Sequence, residues 1–384
     1  MRLAPAGSED PRVILRALTG ALHGAGPALA LGATPDASDE VPAGTAVVVT
    51  TSGSTGVPKS VILSRSALTA SALATAERIG SGAWLVALPA TYVAGLQVLV
   101  RAIIAGREPA LLSGRFSAQA FASAALMMAS ARGGRREPTY TSLVPAQLTT
   151  LLDAAKEEGT ARRALRSFEA ILVGGQALPV ALRERAQAIG ARIVRTYGST
   201  ETSGGCVYDG IPLPGTALRI VGGEVQLSGP TLADGYLGDP GRTAEVFPRD
   251  ADGTRWYRTG DDGVIEDGVL RVRGRIDNVI VSGGINVSLD RVEQTVRGVA
   301  GLEGAVVVGV PDERWGEASV IVLARTAGED AGMREDPSLL EDARAAVAAE
   351  IGSHARPSRL ALLDELPVLP SGKPDRRAIL RAVR

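Results

Sequence analysis

The stretch Thr45–Leu63, TAVVVTTSGSTGVPKSVIL, contains two apolar β-rich runs joined by a loop of glycines and hydroxyl residues that ends on a lysine. Glycines allow the backbone to bend so that successive N–H groups converge on an anion. The hydroxyl groups add hydrogen-bond donors, and Lys59 adds a positive charge. The pattern predicts a phosphate-binding loop between a strand at Thr45–Thr50 and a strand at Val61–Leu63. The alternative is an ordinary surface turn rich in Ser, Thr and Gly.

The same loop fits the Walker A pattern GxxxxGK[ST] only in part. The positions of the first glycine, the lysine and the final serine are matched by Gly53, Lys59 and Ser60. The place of the second glycine is taken by Pro58, which has no N–H group. A Walker A loop also leads into a helix, whereas the residues that follow here are β-rich. A P-loop NTPase remains the alternative function of another class, and it would release ADP and orthophosphate without AMP.

The first half of the chain alternates apolar runs with helix-like segments. Strands are predicted at Thr45–Thr50, Trp84–Leu88, Pro109–Leu112, Tyr140–Val144, Ala170–Val173 and Arg192–Thr196. Helices are predicted at Ser66–Ile79, Gln97–Ala105, Ser117–Ala131, Pro145–Lys156 and Pro179–Ile189. Such alternation indicates a mostly parallel sheet that is covered on both faces and binds ligands beyond the carboxyl ends of its strands. We expect an exposed loop at Ala131–Pro138.

The pattern changes after Gly204. Short strands separated by Gly and Asp turns predict a small antiparallel β subdomain at about 204–274. A new α/β unit follows, with a helix over Ser288–Val299 that Ser288 caps. The fold class is therefore α/β: a large N-terminal domain of parallel α/β layers with a β-rich subdomain, residues 1–276, and a small C-terminal α/β domain, residues 277–384.

Composition and charge exclude several classes of protein. The 384 residues include 41 Lys or Arg against 42 Asp or Glu, so no basic surface for nucleic acid is expected. The single cysteine, Cys206, excludes an internal disulfide and fits a reducing compartment, so we expect a cytoplasmic protein. Two histidines are too few for a multi-histidine zinc site. The uncharged stretch Ile79–Val100 contains Pro89 and several glycines, which favours strand, turn and helix over a membrane span.

Five more motifs follow the glycine-rich loop in order. They are GGQA at Gly174–Ala177, YGSTET at Tyr197–Thr202, YRTGD at Tyr257–Asp261, GRIDNVI at Gly274–Ile280 with SGGINV after it, and PSGKPDR at Pro370–Arg376. Taken alone, each motif would indicate only a turn that contains charged residues. In this order the set strongly resembles the adenylate-forming superfamily of acyl-CoA synthetases, peptide-synthetase adenylation domains and luciferases, from about Ala46 to the C-terminus.

That resemblance implies a two-step reaction. A carboxylate attacks the α-phosphate of Mg-ATP to give an acyl-adenylate and pyrophosphate, and a thiol then displaces AMP. The expected ligands are ATP, Mg²⁺, a small-molecule carboxylate and coenzyme A, with a carrier-protein pantetheine as the alternative acceptor. The resemblance further implies that the C-terminal domain is mobile and rotates about a hinge between the two steps, and that a homodimer is to be expected.

The resemblance also implies a role for each matching residue. The nucleotide-binding set comprises Thr51, Ser52, Gly53, Ser54, Thr55, Gly56 and Lys59 for the β- and γ-phosphates, Gly174, Gly175, Gln176, Tyr197 and Gly198 for adenine, and Asp261 and Arg275 for ribose. The catalytic set comprises Lys373, Thr200 and Glu201, of which Glu201 also coordinates Mg²⁺. Asp277 matches the hinge, and Gly283 and Gly284 belong to the loop on the coenzyme A side.

Two strings near the expected acyl pocket narrow the resemblance. LPATYVAGLQ at Leu88–Gln97 and TSLVPAQL at Thr141–Leu148 look like the o-succinylbenzoate–CoA ligases of menaquinone biosynthesis. The substrate of those enzymes has two carboxylates, and the one that is not activated needs a charge or several donors. The candidates are Tyr92, Thr141, Ser142, Gln147 and Arg195. Another aryl or fatty acid is the alternative, and Tyr92, where many relatives have histidine, leaves the pocket chemistry open.

Overall fold

The computed structural model describes residues 1–32, 40–51, 58–112, 114–128, 131–132, 134–325, 337–369 and 372–384. Most of the predicted phosphate-binding loop, from Ser52 to Val57, lies outside the described residues, as do Pro370 and Ser371. Strands and helices alternate through the described part of the chain, and the sheets are mainly parallel in its first half and antiparallel later. This architecture confirms the predicted α/β fold class.

The first layer is built around the strands that flank the glycine-rich loop. Its elements are β1 (Leu3–Pro5), α1 (Pro11–Leu22), β2 (Ala28–Leu31), β3 (Thr45–Thr51), β4 (Lys59–Ser64) and α2 (Arg65–Ile79). Strands β1, β2 and β3 are parallel, and β4 runs antiparallel to β3 with Lys59 opposite Thr51. The sequence analysis missed β1, α1 and β2. The signal for α1 was present, because Asp10 caps it and Pro11 follows as its first residue.

The second layer is a larger sheet with helices on its faces. Its elements are β5 (Ala83–Val86), α3 (Val93–Ile104), β6 (Ala110–Leu111), α4 (Ala118–Met127), β7 (Ala131–Arg132), β8 (Arg135–Arg136), β9 (Thr139–Leu143), α5 (Pro145–Glu157), α6 (Gly159–Ser167), β10 (Ala170–Val173), α7 (Val180–Ala188), β11 (Ile193–Ser199), β12 (Gly204–Tyr208) and β13 (Ile211–Pro212). The strand order is β13-β12-β11-β10-β9-β5-β6, and the strands from β11 to β6 are parallel. The carboxyl ends of β9, β10 and β11 therefore lie side by side.

Two details of this layer differ from the sequence expectations. The segment Ala131–Pro138 is not simply an exposed loop, because β7 and β8 pair as a short antiparallel hairpin. Helix α3 begins at Val93 and not at Gln97, because Gly95 fits beneath the Pro89 carbonyl, where a Cβ atom would lie 2.2 Å from the oxygen. The strand–turn–helix interpretation of Ile79–Val100 is confirmed. No helix among the described residues is long and apolar enough to cross a membrane.

An antiparallel sheet follows over residues 217–275, but the first part of the predicted β subdomain at 204–274 differs, because β12 and β13 join the larger sheet through β11. Its region contains β14 (Ala217–Val221), β15 (Glu224–Ser228), β16 (Gly235–Tyr236), α8 (Pro240–Val246), β17 (Tyr257–Glu266) and β18 (Val269–Arg275). Strand β16 lies in this part of the chain but belongs to the first layer, where it pairs with β4. Strand β17 is one strand of ten residues, longer than the short strands expected here, because a bulge at Asp262 lets the pairing continue past Gly263.

The last part of the chain has its own sheet and its own apolar core. Its elements are β19 (Val279–Ser282), β20 (Ile285–Ser288), α9 (Leu289–Val296), β21 (Val306–Asp312), β22 (Gly316–Ala324), α10 (Pro337–Glu350), β23 (Arg359–Leu363) and α11 (Arg376–Val383). Ser288 caps α9 by accepting a hydrogen bond from the Arg291 N–H, as predicted. The placement of the domain boundary at residues 276 and 277 stays a prediction.

Candidate active site

The candidate site lies where β9, β10 and β11 end. Strand β10 is followed at once by Gly174 and Gly175, and β11 leads into Thr200. A Cβ atom on Gly174 would lie 2.3 Å from the Thr196 Oγ1, so only glycine fits beside β11 at this point. Gly175 has a φ of 83°, a conformation that side chains disfavour. The two glycines thus let the chain pass closely over the end of the sheet, as expected for one wall of a nucleotide site.

A short 3₁₀ turn, Thr200–Thr202, presents Thr200 and Glu201 at the end of β11. The Ser199 N–H donates to the Thr202 Oγ1 at 2.9 Å, which closes the turn on itself. Ser203 ends it in the left-handed conformation, with a φ of 53°. Few non-glycine residues adopt this conformation, so the surrounding contacts must hold it.

Two buried side chains supply that support from beneath. Gln97 Nε2 donates to the Ser203 carbonyl at 2.7 Å, and Ser71 Oγ donates to the same oxygen at 3.1 Å. Helices α2 and α3 therefore both hold the turn that carries Thr200 and Glu201. The sequence analysis placed neither Gln97 nor Ser71 in the site, since no motif marks a contact between residues so distant in sequence.

Glu201 is the centre of a buried polar cluster. Its Oε1 accepts a hydrogen bond from the Tyr236 hydroxyl at 2.9 Å and forms an ion pair with the Lys59 ammonium group. Burial raises the pKa of Glu201, but the charge and hydrogen bond of Lys59 outweigh it and hold the pKa below its ordinary value. Both side chains bind Oε1, so neither occupies the second carboxylate oxygen. Tyr236 was not among the predicted site residues.

A second cluster joins β11 to the antiparallel sheet. The Tyr197 hydroxyl donates to the Asp261 Oδ2 at 2.6 Å, and Arg275 Nη1 lies 3.3 Å from the Asp261 Oδ1. Burial raises the pKa of Asp261, although both partners oppose that rise. Beside the cluster is a small cavity of about 60 Å³, which is lined by Tyr197, Gly198, Ser199, Leu227, Tyr257, Thr259, Asp261 and Arg275.

Lys373 reaches this region from the far end of the chain. Its side chain remains accessible to solvent, and its Cε lies 3.4 Å from the position that a Cβ atom on Gly175 would take. The loss of hydration in the cleft lowers the pKa of Lys373, while the nearby carboxylates of Asp261 and Glu201 act in the opposite direction. Lys373 therefore lies beside Gly175, within electrostatic range of a carboxylate from each polar cluster.

The residues assigned to the hinge and the thiol side lie in loops. Asp277 is exposed between β18 and β19, and Arg275 holds its carboxylate through two hydrogen bonds of 2.9 and 3.0 Å. Gly283 and Gly284 form the tip of the β19–β20 hairpin with φ values of 59° and 82°. The roles assigned to these residues stay predictions.

The predicted acyl-pocket residues have mixed surroundings. Thr141 donates to the Leu85 carbonyl at 3.0 Å, Gln147 donates to the Ala87 carbonyl at 2.9 Å, and Arg195 pairs with Asp209 at 3.2 Å. These contacts engage the polar groups of the three side chains, and their assignment to the acyl pocket stays a prediction. Tyr92 precedes α3 and Ser142 is buried in β9, and neither makes a side-chain hydrogen bond among the described residues. Burial and the charge of Glu9 raise the pKa of Tyr92, so it remains a neutral phenol.

The arrangement of the sheets and the two polar clusters is that of a nucleotide-activating enzyme, and the chain belongs to the family of AMP-binding enzymes. That family matches residues 8–237, and its C-terminal domain matches residues 291–373. The adenylate-forming resemblance of the motifs is thereby confirmed.

Individual proteins that resemble the chain point to one kind of ligase within this family. The chain is 39% identical over 392 residues to the probable 2-succinylbenzoate–CoA ligase of Mycobacterium tuberculosis, covering 98% of this chain and 96% of that protein. It is 31% identical over 284 residues to the 2-succinylbenzoate–CoA ligase of Escherichia coli K12, covering 71% and 57%. Among solved structures, MenE from Bacillus subtilis in complex with the acyl-adenylate intermediate OSB-AMP superposes with a TM-score of 0.70 at 26% identity, covering 87% of this chain and 69% of that one.

Proposed function

We propose that this enzyme joins 2-succinylbenzoate to coenzyme A at the expense of ATP, giving 2-succinylbenzoyl-CoA, AMP and pyrophosphate. The observation that carries the proposal is that Lys373 lies beside Gly175 at the end of β10, close enough for the charges of both Asp261 and Glu201 to act on its ammonium group. The acid is inferred from the relative with 39% identity over almost the whole chain and from the structural neighbour that holds OSB-AMP.

In the first step, a carboxylate oxygen of the acid attacks the α-phosphorus of ATP, and pyrophosphate leaves. Lys373 places its positive charge where the carboxylate and the α-phosphate approach each other, and Thr200 donates a hydrogen bond there. Asp261, held by Tyr197 and Arg275, accepts hydrogen bonds from the ribose hydroxyls. Fixed charges and donors of this kind act without reorganisation when charge develops in the transition state.

In the second step, the sulfur of coenzyme A attacks the acyl carbon, the bond to AMP breaks, and the thiol proton leaves to solvent. Lys373 must leave the site before the thiol enters, since both approach the same carbonyl group. The loop with Asp277 is the place where the C-terminal part would rotate, and the Gly283–Gly284 tip would then face the thiol.

Mg²⁺ fits the residues of this site through Glu201. A carboxylate oxygen is the hard ligand that Mg²⁺ prefers, and the remaining ligands commonly come from substrate phosphates and water. The described residues contain no group of three or more His, Cys, Asp or Glu side chains that would form a complete metal cage. When bound, the ion would neutralise phosphate charge. A cytoplasmic location and a homodimer stay predictions.

The test is to measure AMP and pyrophosphate release with Mg-ATP, coenzyme A and a panel of acids. We expect AMP formation that requires both 2-succinylbenzoate and coenzyme A. A preference for ferulate would favour the alternative aryl acid, since a feruloyl-CoA synthase from Amycolatopsis is 30% identical over 378 residues. Release of ADP and orthophosphate without AMP would overturn the proposed chemistry and support a P-loop NTPase.

A further inference from the structure

Two cations lie against the ring of Tyr236. Lys59 Nζ is 5.5 Å from the ring centroid, and the Arg242 guanidinium carbon is 5.1 Å from it. The hydroxyl of the same ring binds Glu201. Arg242 therefore stands beside the Glu201 cluster, and it belongs to none of the motifs that led to the nucleotide site.

The backbone around Arg242 is held in place. Strand β16, which carries Tyr236, pairs with β4, which begins with Lys59. The Arg242 N–H donates to the Asp239 Oδ1 at 2.9 Å, and the Tyr236 N–H donates to the Thr243 Oγ1 at 2.9 Å. The start of α8 is thus tied to the strand beside Lys59, and the Arg242 side chain extends from a fixed base.

Arg242 also differs in charge pairing from the arginines on the strands of the antiparallel sheet. The arginines of the antiparallel sheet pair with carboxylates, as Arg219 does with Asp250 and Arg273 does with Asp262. Among the described residues no carboxylate lies within ion-pair distance of Arg242. Its positive charge opposes the rise that burial causes in the pKa of Tyr236, which agrees with a guanidinium close to the hydroxyl.

The positive charge of Arg242 lies beside Lys59's contact ring, at the end of the site that would receive the phosphates of ATP. The glycine-rich loop supplies one cation, Lys59, and that cation is bound to Glu201. The N–H and hydroxyl groups of the loop are the expected hydrogen-bond donors to the β- and γ-phosphates, but Lys59 is the one cation that the loop sequence supplies, so a further cation would help to balance the phosphate charge. A guanidinium donates two parallel hydrogen bonds to phosphate oxygens, a geometry that lysine lacks.

We propose that Arg242 binds the β- and γ-phosphates of ATP, and the pyrophosphate formed from them, as a second cation beside Lys59. The inference rests on the proposed ATP-dependent function and adds a residue to its phosphate end. It predicts a selective effect: Arg242 matters for ligands that have β- and γ-phosphates and not for AMP, which lacks them.

The experiment compares the binding of ATP, pyrophosphate and AMP to the full chain by isothermal titration calorimetry in the presence of Mg²⁺. Arg242→Gln should raise the Kd for ATP and for pyrophosphate about tenfold, the usual effect of losing one charge-assisted interaction. The Kd for AMP should stay unchanged. Arg242→Lys should recover part of the loss, because it keeps the charge but not the paired donors.

Arg219→Gln is the matched control, since Arg219 also stacks on a ring, that of Trp256, at 3.9 Å, but lies on β14. It should bind all three ligands like the wild type. Equal affinity of Arg242→Gln and wild type for ATP, or an equal loss for AMP and ATP, would overturn the inference. Wild-type protein that binds none of the three ligands would instead refute the proposed function. If Arg242→Gln fails to fold, the same titrations are made with Arg242→Lys. A Kd of that variant that is unchanged for both ATP and pyrophosphate would overturn the inference.

Discussion

The hydroxyl of Tyr197 donates a hydrogen bond to the Asp261 carboxylate at 2.6 Å, and this bond joins the end of β11 to β17. Arg275 approaches the other oxygen of the same carboxylate at 3.3 Å. Asp261 is therefore fixed from two sides before any nucleotide binds. A carboxylate held in this way loses little conformational freedom when the ribose hydroxyls arrive.

Tyr197→Phe tests that fixation because it keeps the ring and removes only the donor. We expect the KM for ATP to rise about tenfold with a smaller change in kcat, since a hydrogen bond to a charged group is worth roughly 1.5–3 kcal/mol. Steady-state kinetics of AMP formation would measure it. Tyr257→Phe is the control, because the Tyr257 hydroxyl accepts a hydrogen bond from the Ser199 Oγ at 3.3 Å and donates none to Asp261. Equal effects of both substitutions would contradict the role given to Tyr197.

Lys373→Ala should separate the two half-reactions. We expect adenylation to slow by about 10²-fold or more, as when one preorganised donor is lost from a charged transition state. Thioester formation from supplied acyl-adenylate should remain, since that step proceeds after Lys373 has left. Both steps are measured by single-turnover assays. Lys156→Ala is the control, because Lys156 is exposed on α5 and pairs with Asp153. Equal loss in both half-reactions would show that Lys373 is not specific to adenylation.

Most strands and helices of the large sheet were predictable because apolar periodicity and turn residues are local signals, but α6 was missed and β12 and β13 were expected in a separate β subdomain. The motifs around Gly174, Thr200 and Asp261 were predictable for the same reason, since each follows or lies within a strand. The start of α3 was placed late because Gly95 reads as a turn residue, and only its packing beneath the Pro89 carbonyl shows that it belongs to a helix.

The contacts that complete the site were not predictable in this way. Tyr236, Gln97 and Ser71 reach Glu201 or its turn across large sequence separations, and a single sequence carries no record of such contacts. Conversely, Thr141 and Arg195 were chosen for their polar groups, and the structure gives those groups partners in Leu85 and Asp209. Hydrogen-bonding capacity can be read from a sequence, but the partner that uses it depends on the fold.

Asp277→Pro should give the reverse of Lys373→Ala. Proline fixes φ and would block rotation at the loop between β18 and β19, while the structure with Lys373 in the cleft is retained. We expect adenylation within about threefold of wild type and a loss of thioester formation of about tenfold or more. The same single-turnover assays measure both.

Asp277→Ala is the matched control for that substitution. It removes the carboxylate that Arg275 holds but leaves φ free, so thioester formation should stay near the wild-type rate. If thioester formation survived in Asp277→Pro, or failed equally in Asp277→Ala, rotation at this residue would not be the step that matters.

The pH dependence of adenylation should report on Lys373. The ammonium form is the active one, so adenylation is fast below the pKa of Lys373 and falls as the pH rises through it. Because the cleft lowers that pKa from the ordinary value near 10.5, the decline should begin at a lower pH than for a lysine surrounded by bulk water. Lys373→Arg keeps the charge through the alkaline range, so its residual adenylation should lose this decline. The measurement is the initial rate of pyrophosphate release between pH 7 and pH 10 for both proteins. A decline of the same shape in Lys373→Arg would assign the alkaline limb to a group other than Lys373.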